Sequence, residues 1–202
     1  MSFTKPTLAS IANYPQQIGR LIDIVEGPLR RNFVRNGDFQ IAQRGTSFAG
    51  ITTAQYTLDG WQFGGSAGTN TITQQAFTVG QTTVPNNPRF HLRVDRTVAA
   101  GAANVVIQHP IEMPDRMAGK TVTVSFWAKC SSGTKALAVD LLSSGVTSSI
   151  DTTEQGFTLT TTWTLFSFQI AVPTMTAVTS SAYLALRILE VASLGTFTVD
   201  LA

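Results

Sequence analysis

The sequence predicts an all-β sandwich, on three observations. From residue 32 onward the apolar residues recur with period two. Turn formers interrupt this pattern about every ten positions, and no long amphipathic helix alternates with the strands. Composition agrees. Charged residues make up 13% of the chain, about half the roughly 25% of an ordinary globular protein. Hydrophobic residues make up 43%, enough for a sizeable core. The Thr-rich run TLTTTW at 158–163 is β propensity, not low complexity.

Residues 1–31 read differently from the rest. Pro6 and Pro15 punctuate an extended or irregular lead. The run PQQIGRLIDIVEGP then places Ile18, Leu21, Ile22 and Val25 at helical spacing, closed by Gly27-Pro28. A helix of about three turns is marginal in isolation because nucleation is costly. It therefore needs a partner surface: its own domain, copies of itself, or another protein. The expected organisation is an N-terminal anchor or oligomerisation segment over 1–31 and a sandwich over 32–202.

The strands expected in order are Asn32–Ala42, Tyr56–Phe63, Thr71–Val79, Phe90–Asp95, Asn104–Ile111, Thr121–Lys129, Ala136–Leu142, Gln155–Thr160, Thr164–Ala171, Ala182–Val191 and Thr196–Leu201. Asn36-Gly37 is expected to bend the first of them, since both residue types tolerate positive φ. There Phe33, Phe39 and Ile41 share a parity facing the core, and Arg44 is expected to pair with Asp59. The pleat sorts the remaining side chains. Phe90, Leu92 and Val94 face the core, and His91, Arg93 and Asp95 face away. Val122, Val124, Phe126 and Ala128 oppose Trp127 and Lys129. Leu137, Val139 and Leu141 oppose Asp140. Phe166, Phe168 and Ile170 oppose Ser167 and Gln169. Leu184, Leu186 and Ile188 oppose Tyr183 and Arg187. Trp61 and Trp163 read as core.

Several function classes are excluded or disfavoured. A net charge of +2 offers no basic stripe for nucleic acid. No run approaches the 18 or so apolar residues of a membrane span, so no membrane partner is expected. The lone Cys130 supports neither a disulfide framework nor a Cys-based zinc site. The N-terminus lacks the apolar region of a Sec signal peptide, so synthesis in a cytoplasm is expected. The two histidines, His91 and His109, lie in no recognised catalytic motif, and no phosphate-binding or nucleophile motif occurs. The expectation is a protein without intrinsic catalysis.

What the outward faces offer is a binding surface. His91, Arg93, Trp127, Asp140, Gln169, Tyr183 and Arg187 would combine aromatic plates, planar donors and acceptors if their strands share a sheet. A sugar ring stacks its C–H face on such plates and hydrogen-bonds its hydroxyls to Arg, Asp and Gln. The competing expectation is that Asp140 and Arg93 pair across strands while a loop or neighbouring subunit covers Trp127. The metal reading is calcium, with oxygens from Asn36, Asp38 and Asp200 near the two ends of the domain. Gln40 stands where a further carboxylate would help.

The run NFVRNGDFQIAQRGTSF, followed by YTLDGWQF, resembles the opening of a domain common in bacteriophage tail and tail-fibre proteins. Asn36, Gly37, Phe39, Gln43, Arg44, Gly45, Tyr56, Asp59 and Trp61 carry the match. MAGKTVTVSFWAK at 117–129 and the FTVDLA end resemble the same domain. The resemblance covers about residues 32–202. It implies a jelly-roll β-sandwich related to carbohydrate-binding modules. It also implies a virion structural protein, a tail fibre or tail-associated adaptor, commonly a homotrimer. Residues 1–31 would then attach to tail, baseplate or portal-proximal proteins, and the jelly roll would serve assembly and contact with host cell-surface polysaccharide. The alternative is a stand-alone glycan-binding module of a secreted polysaccharide-degrading protein.

Overall fold

The computed structural model describes residues 32–65, 68–99, 105–146, 151–190 and 195–202. The expected helix with Ile18, Leu21, Ile22 and Val25 lies outside the described residues. A compact unit spans Val34–Ala202, and it is a β-sandwich of two six-stranded antiparallel sheets. The strands are β1 (Ser47–Ile51), β2 (Gln55–Tyr56), β3 (Gln62–Phe63), β4 (Thr69–Ala76), β5 (Phe90–Val98), β6 (Val105–Glu112), β7 (Thr121–Cys130), β8 (Lys135–Val146), β9 (Gln155–Leu159), β10 (Thr164–Ala171), β11 (Val178–Glu190) and β12 (Phe197–Leu201). Sheet A runs β1-β4-β5-β12-β7-β10, and sheet B runs β2-β3-β6-β11-β8-β9. No helix among the described residues is long and apolar enough to cross a membrane.

Strand existence follows the period-two reading, with three differences. The stretch expected as a first strand, Asn32–Ala42, forms turns instead. Asn36 adopts φ 52° and Phe39 φ 55°, so the chain bends at both. The bend expected at Asn36 is present, but its consequence is a folded-back loop. Phe39 is buried while Ile41 is 49% exposed, because no pleat remains to carry the parity through. Strand β1, at Ser47–Ile51, falls outside the expected strands. Its alternation is interrupted by Gly50, with φ 69°, and by a register shift between Phe48 and Ile51. The expected strand Tyr56–Phe63 divides into β2 and β3 around a turn at Thr57–Trp61, closed by Thr57 N–H to the Trp61 carbonyl at 2.9 Å.

Within the long strands the pleat is as the sequence predicts. Leu92, Val94, Ala128, Leu137, Val139, Leu141, Leu184, Ile188, Val199 and Leu201 are buried between the sheets. Burial of such side chains contributes about 1.5–3 kcal/mol each before conformational entropy is set against it. Phe126, Phe157, Phe166 and Phe168 form one aromatic cluster, with ring centroids 4.8–6.2 Å apart for the contacting pairs.

The interior also holds charge. Glu190 accepts from Arg96 with one carboxylate oxygen and from Lys135 with the other. The Arg96 Nε–H donates to Asn70 at 3.1 Å, and the Phe197 ring lies 4.9 Å from the Arg96 guanidinium and 4.4 Å from the Lys135 ammonium. Burying these groups is tolerable only because each charge meets an opposite charge, and both cations also face the Phe197 ring.

Candidate functional site

The seven side chains expected on one face divide between two. His91 and Arg93 (β5), Trp127 (β7) and Gln169 (β10) project from sheet A, while Asp140 (β8), Tyr183 and Arg187 (β11) project from sheet B. The strands do not share a sheet, and in a sandwich the outward faces of two sheets look in opposite directions. The single seven-residue surface is therefore corrected to two separate surfaces. Pairing across strands also differs from expectation. Arg93 forks onto Asp200, with Nε at 2.7 Å and Nη2 at 3.0 Å, and Asp140 takes Arg187 through both carboxylate oxygens.

On sheet A the polar groups hold one another. Asp200 is buried and receives Arg93, with Lys129 Nζ at 3.6 Å. This carboxylate hydrogen bond holds the Arg93 guanidinium above its ordinary pKa. His91 lies buried beside it, 3.7 Å from Asp200, its ring against Phe77 at 4.6 Å and Trp163 at 5.5 Å. Burial holds its pKa down to about 4, against the pull of Asp200 and with the help of Arg93 and Lys129. Trp163 also takes Lys129 over its ring at 5.3 Å. It is therefore not core as expected, but a half-buried cover on the outside of sheet A.

The candidate calcium oxygens are committed elsewhere. Both oxygens of Asp200 serve Arg93. The Asn36 amide clamps its own loop: Oδ1 accepts the Ile41 N–H at 2.8 Å, and Nδ2 donates to the carbonyls of Ile41 and Asp59, both at 2.9 Å. Asp38 accepts from Gln40 at 2.6 Å. Among the described residues no group of three or more His, Cys, Asp or Glu side chains is arranged to hold a metal ion. The expected Arg44–Asp59 pair is also replaced. Asp59 accepts the Gln43 N–H at 2.7 Å, and Arg44 lies over the Tyr56 ring at 5.2 Å.

Sheet B is built differently. Registry aligns Gln62, Gln108, Arg187 and Asp140 in one row across β3, β6, β11 and β8. Gln108 donates to Gln62 at 2.6 Å, and Arg187 also reaches Asp151 at 2.8 Å. The bond to Asp140 holds the Arg187 guanidinium above its ordinary value. The next row on that face is apolar, Pro110, Ala185 and Leu142. Beyond it come Glu112, Tyr183 and Ser144. Parity puts Tyr56, paired with Gln62, on the same face.

Pro110 of the apolar row, Glu112 and Tyr183 of the row beyond it, and Tyr56 line an open cleft of about 340 Å³, together with Arg35 and the Ser180–Ser181 rim, among others. The Arg35 and Glu112 side chains are exposed and 3.5 Å apart. Arg35 is positioned from below. One ring nitrogen of the fully buried His109 lies 3.1 Å from the Arg35 N–H and from its carbonyl. His109 is packed edge-on against Trp61 at 5.1 Å, and the Trp61 indole N–H donates to the Asn36 carbonyl at 3.0 Å. Burial lowers the His109 pKa to about 4, so the ring is neutral at neutral pH, and its tautomer sets whether Nε2 accepts from the Arg35 N–H or donates to the Arg35 carbonyl.

Of the cleft residues only Tyr183 was a sequence candidate. Tyr56 and Trp61 stood in the motif, but nothing in their spacing put Tyr56 opposite Tyr183. Glu112 and Arg35 were invisible because their meeting depends on the loop geometry at Asn36 and on the β6–β11 registry.

The family model described as a carbohydrate binding domain, CBM_4_9, matches residues 31–188. The chain belongs to this family. No curated protein sequence matches it significantly. Similar solved structures include a family 11 carbohydrate-binding module from Clostridium thermocellum in complex with a mixed-linked β-1,3-1,4 tetrasaccharide. It has 9% identity and a TM-score of 0.46, with 77% of this chain and 92% of that one covered. The C-terminal family 22 carbohydrate binding module of Clostridium thermocellum Xyn10B has 16% identity and a TM-score of 0.48, with 80% and 92% covered. Tailspike protein 4 of bacteriophage CBA120 has 16% identity and a TM-score of 0.47. The match covers 84% of this chain but 20% of the tailspike chain. At these TM-scores nothing further rests on the likenesses.

Proposed function

We propose that this carbohydrate-binding domain holds a polysaccharide in the sheet B cleft and acts by binding, not by catalysis. The observation that carries the reading is the juxtaposition of Tyr56, Tyr183 and the Pro110 ring in one cleft, with Arg35, Glu112, Ser180 and Ser181 at the margin. The proline and tyrosine rings suit the C–H face of a pyranose, and the marginal groups suit its hydroxyls. The cleft is open, so a chain can lie across it instead of presenting only an end.

Affinity electrophoresis against a panel of soluble neutral polysaccharides tests this. At least one should retard the protein. Tyr56→Ala and Tyr183→Ala should each weaken binding by about tenfold, roughly the 1.4 kcal/mol of one lost stacking platform. Trp127→Ala, on the other sheet, should bind as the wild type does. If Trp127→Ala abolishes binding while both tyrosine variants retain it, the site lies on sheet A.

Two settings suit such a binder. Family membership supports a glycan-binding module of a secreted polysaccharide-degrading protein. The QRGTSF and SFWAK segments support a virion setting, with residues 1–31 attaching to tail proteins. The second setting implies a homotrimer, which sedimentation of the full chain reads directly.

A further inference from the structure

A sandwich of two open sheets has four edge strands, here β1 and β10 in sheet A and β2 and β9 in sheet B. An edge strand offers unpaired N–H and C=O groups to any other strand, and proteins blunt such edges by shortness, bulges, charge, proline or glycine. Three of these edges are blunted. Strand β2 has two residues. Strand β1 has five, with Gly50 and a register shift inside it. Strand β9 has five and contains Gly156.

Strand β10 carries none of these devices. It has eight residues, TLFSFQIA, without charge, proline or glycine. It pairs with β7 residue for residue from Thr164 to Ala171 with no register shift. No turn or loop backbone bond among the described residues uses its outer edge. Its core-facing Phe166 and Phe168 remain half-exposed, although both belong to the cluster with Phe126 and Phe157.

We propose that β10 is a homodimerisation edge that pairs antiparallel with β10 of a second copy about a two-fold axis at Ser167. Directly opposed residues of an antiparallel pair share a face, so the register follows from parity. With Ser167 opposite its own counterpart, Phe166 meets the second copy's Phe168 on the core side. Leu165 meets Gln169 on the outer side. The aromatic cluster of each copy then continues into the other, and the half-exposed rings are covered. An uncharged strand meets an uncharged strand, so the self-pairing carries no like-charge penalty. The edge equally offers a heterologous partner no charge to read. A two-fold pairing of this kind closes on itself as a dimer.

Sedimentation velocity of the full chain across a micromolar to several-hundred-micromolar series tests the proposal. The wild type should approach twice the 21.6 kDa chain mass as concentration rises. Ser167→Lys sets two ammonium groups opposite each other at the axis and should stay at the single-chain mass, with the circular dichroism of the wild type. Thr158→Lys, on the β9 edge, should still dimerise. A wild type that stays monomeric overturns the proposal, as does a trimer or a dimer indifferent to Ser167→Lys. If Ser167→Lys misfolds, Ser167→Cys decides. Mild oxidation should cross-link two copies through the axial cysteines, while the wild type, with only the buried Cys130, should not cross-link. Absence of that cross-link overturns the proposal too.

Discussion

His91 and His109 are the residues whose chemistry is most altered by the fold. Both rings are buried, and burial drives both pKa values from 6.5 to about 4. The unfolded chain therefore binds protons more readily than the folded one between pH 6.5 and 4. The stability they help define is complete above about pH 6.5 and declines as pH falls toward 4. Thermal melts at pH 7, 6, 5 and 4 should show this decline, and His91→Phe should reduce its slope. An identical slope in the variant would mean that His91 is protonated in the native protein. The two rings serve opposite faces: His91 braces the Asp200 cluster behind sheet A, and His109 sets the backbone of Arg35 at the cleft.

Gly145 shows how an element reaches the site. It sits in β8 at φ 74°, where the pairing with β11 slips between Val178 and Tyr183. Its carbonyl accepts from Thr179 Oγ1 at 2.9 Å. A Cβ there would lie 2.8 Å from that hydroxyl and 2.9 Å from Ala182 Cα, too close for either to stay. Gly145→Ala should therefore cost more than about 1 kcal/mol in urea denaturation, and it should also weaken glycan retention, since Ser180, Ser181 and Ala182 rim the cleft. Unchanged stability would show that the slip is not held by Gly145. A slip of this kind is not readable from sequence, because the alternation SSAYLALRI continues through it without a break. The same limit explains Asn32–Ala42. The residues have strand composition, and the clamp that turns them into a loop joins Asn36 both to the nearby Ile41 carbonyl and to the distant Asp59 carbonyl.

At the scale of the whole molecule, what sequence made legible was the inside and outside of each strand. Phe90, Leu92 and Val94 against His91 and Arg93 is a local alternation, and the pleat enforces it wherever the strand goes. Which strand lies beside which is a global choice. The chain places β5 and β7 in sheet A but β8 and β11 in sheet B, so a set of outward residues sorted correctly strand by strand becomes two surfaces. One of them, around Asp200, is closed by its own ion pairs. The other, around Tyr56 and Tyr183, is open, and that difference carries the functional conclusion. Its direct test is an ¹H–¹⁵N correlation spectrum of the full chain, titrated with an oligosaccharide of whichever polysaccharide retards it most. The account predicts that the amides of Arg35, Tyr56, Glu112, Ser181 and Tyr183, which line the cleft, move while those of Arg93, Trp127 and Gln169 stay. Movement confined to Arg93, Trp127 and Gln169 would contradict it.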